Sequence, residues 1–222
     1  MVRARRLAAE DRRRQIIDAA REAFTSQSYA KVGTADLAKA AGVSEPALYR
    51  YFSGKKELFL ATLRSTAPRL LELWQEIAYE VDDPLETLWS IGVHYYDHLQ
   101  SESGNMRLQF QAISEADDPE IREALRENFA GFVEFVAETL DEGKRRGVVR
   151  RDLDSRLVAW QFLGIGLTLD LIHMLGFSDE LDRSKVERWS QLYQEMLRAP
   201  RKRGGVVPAV RAVSELVGPL EV

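Results

Sequence analysis

The chain contains no cysteine and only three histidines. Without thiols there is no disulfide framework, no thiolate nucleophile and no cysteine-ligated metal. Alternating apolar and polar residues are never sustained, and neither Asn-Gly nor Asp-Gly occurs to turn a hairpin, so the signals of a β-sheet are missing. A glycine-rich phosphate loop, a nucleophile elbow and a Ser/His/Asp order are also missing, which argues against an enzyme. The first fourteen residues hold six arginines in place of a long apolar run. No secretory signal is therefore visible, and the expected compartment is the cytoplasm.

What remains is a 222-residue chain, 45% hydrophobic and 30% charged, an ordinary balance for a soluble globular protein. Its length allows one elongated domain or a small one joined to a larger one. Charge is unevenly placed. Residues 1–60 carry 12 basic and 7 acidic side chains, net +5, and the remainder carries 19 and 28, net −9. A basic end on an acidic body suits contact with a polyanion, although chance variation in surface charge gives the same pattern.

The periodicity is helical nearly throughout and predicts an all-α fold of nine or ten helices. The first spans about 12–26 on the apolar face Ile16, Ile17, Ala20, Ala23 and Phe24. A short helix starts at Thr34 as N-cap and ends before Gly42, where a chain can turn with positive φ. Ser44 can cap a third over about 45–52, and Lys55 opens a long helix that Pro68 is expected to kink or divide. Helices follow to about residue 100, over 105–116, from Pro119 to about 143–147, over 156–176 and over 184–198. A Pro/Gly-containing linker over 199–205 precedes a short helix or loose tail.

Residues 34–55 pair two short helices across a glycine turn, the pattern of a helix-turn-helix. The second helix of that motif enters the major groove with its N-terminal residues at base edges. Here those residues are Ser44, Glu45, Pro46 and Ala47, short enough for close approach. Tyr49, Arg50 and Tyr51 can donate to phosphates or bases, and Arg50 can pair bidentately with guanine. Lys55, at a helix N-terminus, suits a phosphate. The bland alternative is a generic three-helix bundle. Arg3, Arg5 and Arg6 form either a groove-reaching arm or a loose tail.

On these residues the chain resembles the TetR/AcrR family of transcriptional regulators. The resemblance rests on Phe24, Tyr29, Thr34, Leu37, Ala38, Ala41, Gly42, Val43, Ser44, Leu48, Tyr49, Tyr51, Phe52, Lys55 and Leu58, and covers about residues 12–63. Pro46-Ala47 and Lys56 depart from the common pattern, which leaves the operator sequence open. The resemblance implies a helix-turn-helix DNA-binding domain over 1–60, a helical ligand-binding and dimerisation domain over 61–200, and a tail over 201–222. It implies a regulator, read as a repressor, that binds a palindromic double-stranded DNA operator as a homodimer and is released by a small-molecule effector. Thr34 joins Ser44, Pro46, Ala47, Tyr49, Arg50, Tyr51 and Lys55 as the expected DNA contacts. The rival reading is a helical ligand-binding or enzymatic protein whose helix-turn-helix is only structural.

Beyond that segment the residues speak for themselves. Trp89, Tyr96, Met106 and Phe110 on the middle helices, with Phe129, Phe132, Phe135 and Trp160, are expected to line an effector cavity, although such residues also simply fill cores. The apolar run 157–177 is long enough to span a bilayer, but Gln161, Asp170 and His173 interrupt it, so no membrane partner is expected. A second subunit would cover it. Gly164, Thr168 and Leu171 from this run, with Trp189, Leu192, Tyr193 and Met196 from the next helix, are the expected dimer interface. Burial by the C-terminal tail is the alternative. His94 and His98 have metal-like i, i+4 spacing, but on a helical wheel they edge the polar face, and no metal or other cofactor is expected.

Overall fold

The computed structural model describes residues 2–101 and 104–200, with side chains described from residue 9 onward except those of 100–106. Among the described residues the fold is all-α. Its helices are α1 (Val2–Ser26), α2 (Thr34–Ala40), α3 (Glu45–Leu48), α4 (Lys55–Glu80), α5 (Pro84–Ser101), α6 (Gly104–Ser114), α7 (Pro119–Arg145), α8 (Ser155–Met174) and α9 (Arg183–Leu197). The one β-type pairing described is an isolated bridge between Val149 and Arg198.

Polar caps mark several of these starts. Asp118, Asp154 and Asp182 each accept a first-turn amide with a side-chain oxygen, opening α7, α8 and α9. Ser44 does the same for α3, accepting from the Ala47 amide at 3.3 Å. Thr34 is not the cap of α2. Gly33 holds that position, its amide donating to Asp36 Oδ2 at 3.0 Å, and Thr34 is the first helical residue. Gly42 turns the chain between α2 and α3 with φ +62, as the motif needs.

Two boundaries differ from expectation. α1 starts at Val2 rather than near residue 12, because the added segment is rich in Ala and Arg, which favour helix without any apolar stripe to announce it. α3 ends at Leu48, and single turns carry the chain on to Phe52. Pro68 does not divide α4. Buried Thr66 and Ala67 before it and Trp74 after it hold the helix together across the missing amide. The tail over 201–222 lies outside the described residues.

The apolar faces converge on two main cores. The first joins Ile16, Ala20 and Phe24 of α1 to Leu37, Leu48, Phe52 and the first half of α4, then continues into Leu108 and Ala112 of α6 and Ile121 of α7. The second joins Trp74 to Leu85, Leu88, Val133, Leu140, Val158 and Tyr193. α4 contributes to both, so the domain boundary expected after residue 60 falls inside a continuous helix. The N-terminal unit is also tied directly to the rest. Gln111 Nε2 donates to the Phe24 and Gln27 carbonyls, and its Oε1 accepts from the Tyr29 amide. Lys56 pairs with Asp118 at 2.6 Å and with Glu120 at 2.9 Å.

Candidate nucleic-acid interface and ligand cavity

The helix-turn-helix is built so that its second helix shows one face to solvent. Leu48 and Phe52 are sunk in the first core, which fixes the rotation of α3. Ser44, Pro46, Tyr49 and Arg50 are consequently exposed, while Ala47 and Tyr51 are half-buried. The start of α3 is anchored by Thr34, whose hydroxyl donates to Glu45 Oε1 at 2.7 Å. Thr34 therefore positions the helix as well as standing beside the same surface. Lys31, Lys39 and Arg12 to Arg14 are exposed as well. The Arg13 guanidinium lies 4.6 Å over the Phe52 ring, a cation–π contact on the edge of this unit.

Lys55 differs from its expected role. Its ammonium turns inward, donating to the Tyr29 carbonyl at 3.0 Å and lying 4.5 Å over the Tyr29 ring. It stabilises the loop after α1 rather than reaching outward. The Ser53 amide donates to Glu57 Oε2 at 2.6 Å, and that bond holds the Glu57 carboxyl below its usual range.

Between α4, α5, α7, α8 and α9, with one end against α1, lies a cavity of about 720 Å³. Trp89, Phe129 and Phe132 stand on its wall. Phe135 packs instead against Trp74, ring centroids 5.7 Å apart. Tyr96 belongs elsewhere, donating its hydroxyl to the Leu181 carbonyl in a small third core. Phe110 is half-buried away from the wall, and Trp160 faces outward, 51% exposed. The Met106 side chain lies outside the described residues. Sequence reading missed Trp74, Tyr95, Phe162 and Arg69. It also missed Gly92, a mid-helix glycine whose added Cβ would stand 3.7 Å from Ser190 Oγ. His94 and His98 are on the cavity wall rather than on a purely solvated face. Among the described residues no group of three or more His, Cys, Asp or Glu could hold a metal.

The model for bacterial regulatory proteins of the tetR family matches residues 16–62, the stretch that forms this helix-turn-helix. Nucleoid occlusion factor SlmA of Marinobacter nauticus is 30% identical over 131 residues, 52% of this chain and 67% of that protein. The chain belongs to the TetR family. The transcriptional activator FasR of Mycolicibacterium smegmatis is 33% identical over 109 residues, 49% of this chain, and the match spans only half of FasR. The fold likeness extends further. The transcriptional regulator FadR of Bacillus subtilis, solved with stearoyl-CoA, superposes with a TM-score of 0.64 at 24% identity, covering 82% of this chain and 95% of that one.

In this TetR-family chain the apolar residues expected at a dimer interface fall into two groups. Trp189 and Tyr193 turn inward. Both line the cavity, and the Tyr193 hydroxyl donates to the Val158 carbonyl at 3.0 Å. Burial pushes its ionisation upward. Leu192 and Met196, on the outer half of the same stripe, are exposed. On α8, Leu157, Trp160, Thr168 and Leu171 are exposed, as is Leu175 just after it, and the position of Gly164 meets nothing within 4 Å. α8 is long and apolar enough to cross a membrane, yet only 22% of that stretch is buried within the protomer. Its inward side holds Asp170, which accepts from the Tyr95 hydroxyl at 2.8 Å and whose second oxygen has no partner. Burial raises the Asp170 carboxyl to about 7, and burial followed by the Asp170 charge raises Tyr95.

Proposed function

We propose that two copies of this chain pair through the outer faces of α8 and α9 and place their α3 helices in successive major-groove segments of a palindromic operator. The observation that carries the reading is the exposed Ser44–Arg50 surface, held in register by buried Leu48 and Phe52. A small molecule in the 720 Å³ cavity lowers DNA affinity, so the protein acts as a repressor released by its effector. That volume lies in the range of ligand sites, and the wall is mostly apolar. The stearoyl-CoA held by the FadR relative supports an effector with a long apolar part. The unpartnered face of α8 supports the dimer and accounts for the helix without a membrane. We read the chain as a binding protein rather than an enzyme, without a cofactor, working in the cytoplasm beside the chromosome.

Fluorescence anisotropy with the chain's own upstream DNA tests this. The expected result is a steep fall in affinity with salt and binding at least about 10³-fold tighter than to random DNA. Equal binding to both sequences overturns specific regulation.

A further inference from the structure

The cavity has two unlike ends. Along α5 its wall runs from Leu85 to Leu99, fourteen residue steps of about 1.5 Å, or about 21 Å. The end by Leu85 and Leu197 is buried and apolar. The other end meets α1 and α4, where Asp18, Arg21, Glu22 and Arg69 line it. Among the described residues these four are the only Asp, Glu, Arg or Lys on the wall. One carboxylate oxygen serves two cations there. Asp18 Oδ1 accepts from Arg69 Nη2 at 2.8 Å and from Arg21 Nη2 at 3.1 Å, while Arg21 also donates to Ser65 Oγ at 3.0 Å. Asp18 and Arg21 belong to the DNA-binding unit, whereas Ser65 and Arg69 belong to the half of α4 beyond it. The charged end of the cavity is therefore the joint between the two parts of the molecule.

Resting on the reading of the cavity as the effector site, we infer that its ligand is a single-chain amphiphile with an anionic head. The head binds Arg69 and Arg21 in place of Asp18, and the tail runs along α5 toward Leu85 and Leu197. A guanidinium presents a planar fork that matches a carboxylate or phosphate. Because the head must displace Asp18 from the two guanidinium groups, it contributes only the smaller part of the affinity, on the order of tenfold over an uncharged head. Burial of the tail supplies the larger part. The exchange still has a consequence, because the released Asp18 no longer ties α1 to α4. A ligand shifts an equilibrium only through its different affinities for the two states, and this displaced ion pair is that difference.

The same chemistry is offered by a free fatty acid and by the phosphates of an acyl thioester. The probes are therefore dodecanoate, dodecanoyl-CoA and, as the uncharged control, 1-dodecanol, all below their micellar concentrations. Trp74, Trp89 and Trp189, three of the four tryptophans, stand on the wall, so intrinsic fluorescence reports binding. We expect at least one anionic probe to bind tenfold or more tightly than dodecanol, and which of the two does so identifies the head. Arg69→Gln should remove that preference while leaving dodecanol within twofold. Asp18→Asn should tighten only the anionic probe, by threefold or more. Gly92→Phe should abolish binding of all three. If all three bind wild type alike, or Arg69→Gln weakens dodecanol equally, the head-group inference is overturned while the effector reading stands. If none binds wild type, the reading of the cavity falls with it.

Discussion

Arg50 and Lys55, both cationic and five residues apart, have opposite surroundings. Arg50 is exposed just past α3, whereas the Lys55 ammonium is spent on Tyr29. Arg50→Ala should weaken operator binding by about 1–3 kcal/mol, unevenly across operators with single base-pair changes, if it reads a base edge. Lys55→Ala should instead lower folding stability by about 1–2 kcal/mol, the loss of a charged hydrogen bond and a cation–π contact. It should leave the salt dependence of DNA binding unchanged, and denaturant unfolding beside anisotropy separates the two outcomes. Asp170 is the residue with a pH signature. Its folded carboxyl sits near 7, above its unfolded value, so the folded state holds the proton more tightly. The contribution to stability is fully present below about pH 4 and is lost as pH rises toward and through 7. Between pH 5 and 8 wild type should lose about 2–3 kcal/mol relative to Asp170→Asn, which keeps an acceptor for Tyr95 without the buried charge. Parallel pH profiles from urea unfolding, at fixed protein concentration, would contradict this.

At the scale of helices, the sequence was a good guide to where elements lie and a poor one to which half of an apolar stripe faces which neighbour. Caps and glycine turns are local chemistry, so Ser44 and Gly42 could be read directly. On α9, Trp189, Leu192, Tyr193 and Met196 span about 100° of the helix wheel, and periodicity alone cannot divide that arc between two neighbours. The fold divides it. Trp189 and Tyr193 face the cavity, and Leu192 and Met196 face out. Trp160 escaped for the same reason, since an all-round apolar α8 has no preferred side. Arg69 and Asp18 were invisible because an ion pair across 51 residues leaves no spacing signal. The outer face makes its own prediction. Leu171→Glu alters a residue already 48% exposed in the protomer, so the monomer should remain folded. A charge buried at the proposed symmetric interface should nevertheless shift the mass in native spectrometry from dimer to monomer. A variant that stays dimeric places the interface elsewhere.

Across the whole molecule, regulation requires that the cavity and α3 share a free energy. Among the described residues the connections include α4, which belongs to both cores, the Asp18–Arg69 pair between α1 and α4, and Gln111, which fastens the end of α1 to α6. Such coupling is typically about 1–3 kcal/mol and must be reciprocal for binding equilibria. If the bound anionic probe lowers operator affinity by a given factor, saturating operator must lower the affinity for the probe by the same factor. Fluorescence titration of the cavity tryptophans, with and without operator, gives one side of that cycle, and anisotropy of labelled operator gives the other. Equal factors of about 5–150 are expected. Gln111→Ala removes three hydrogen bonds between α6 and the α1 end without touching the cavity wall. It should therefore shrink both factors together, by about 0.5–2 kcal/mol, while probe binding to the free protein stays near wild type. Coupling that survives this substitution intact would assign transmission to α4 and to the Asp18 pair that ties it to α1.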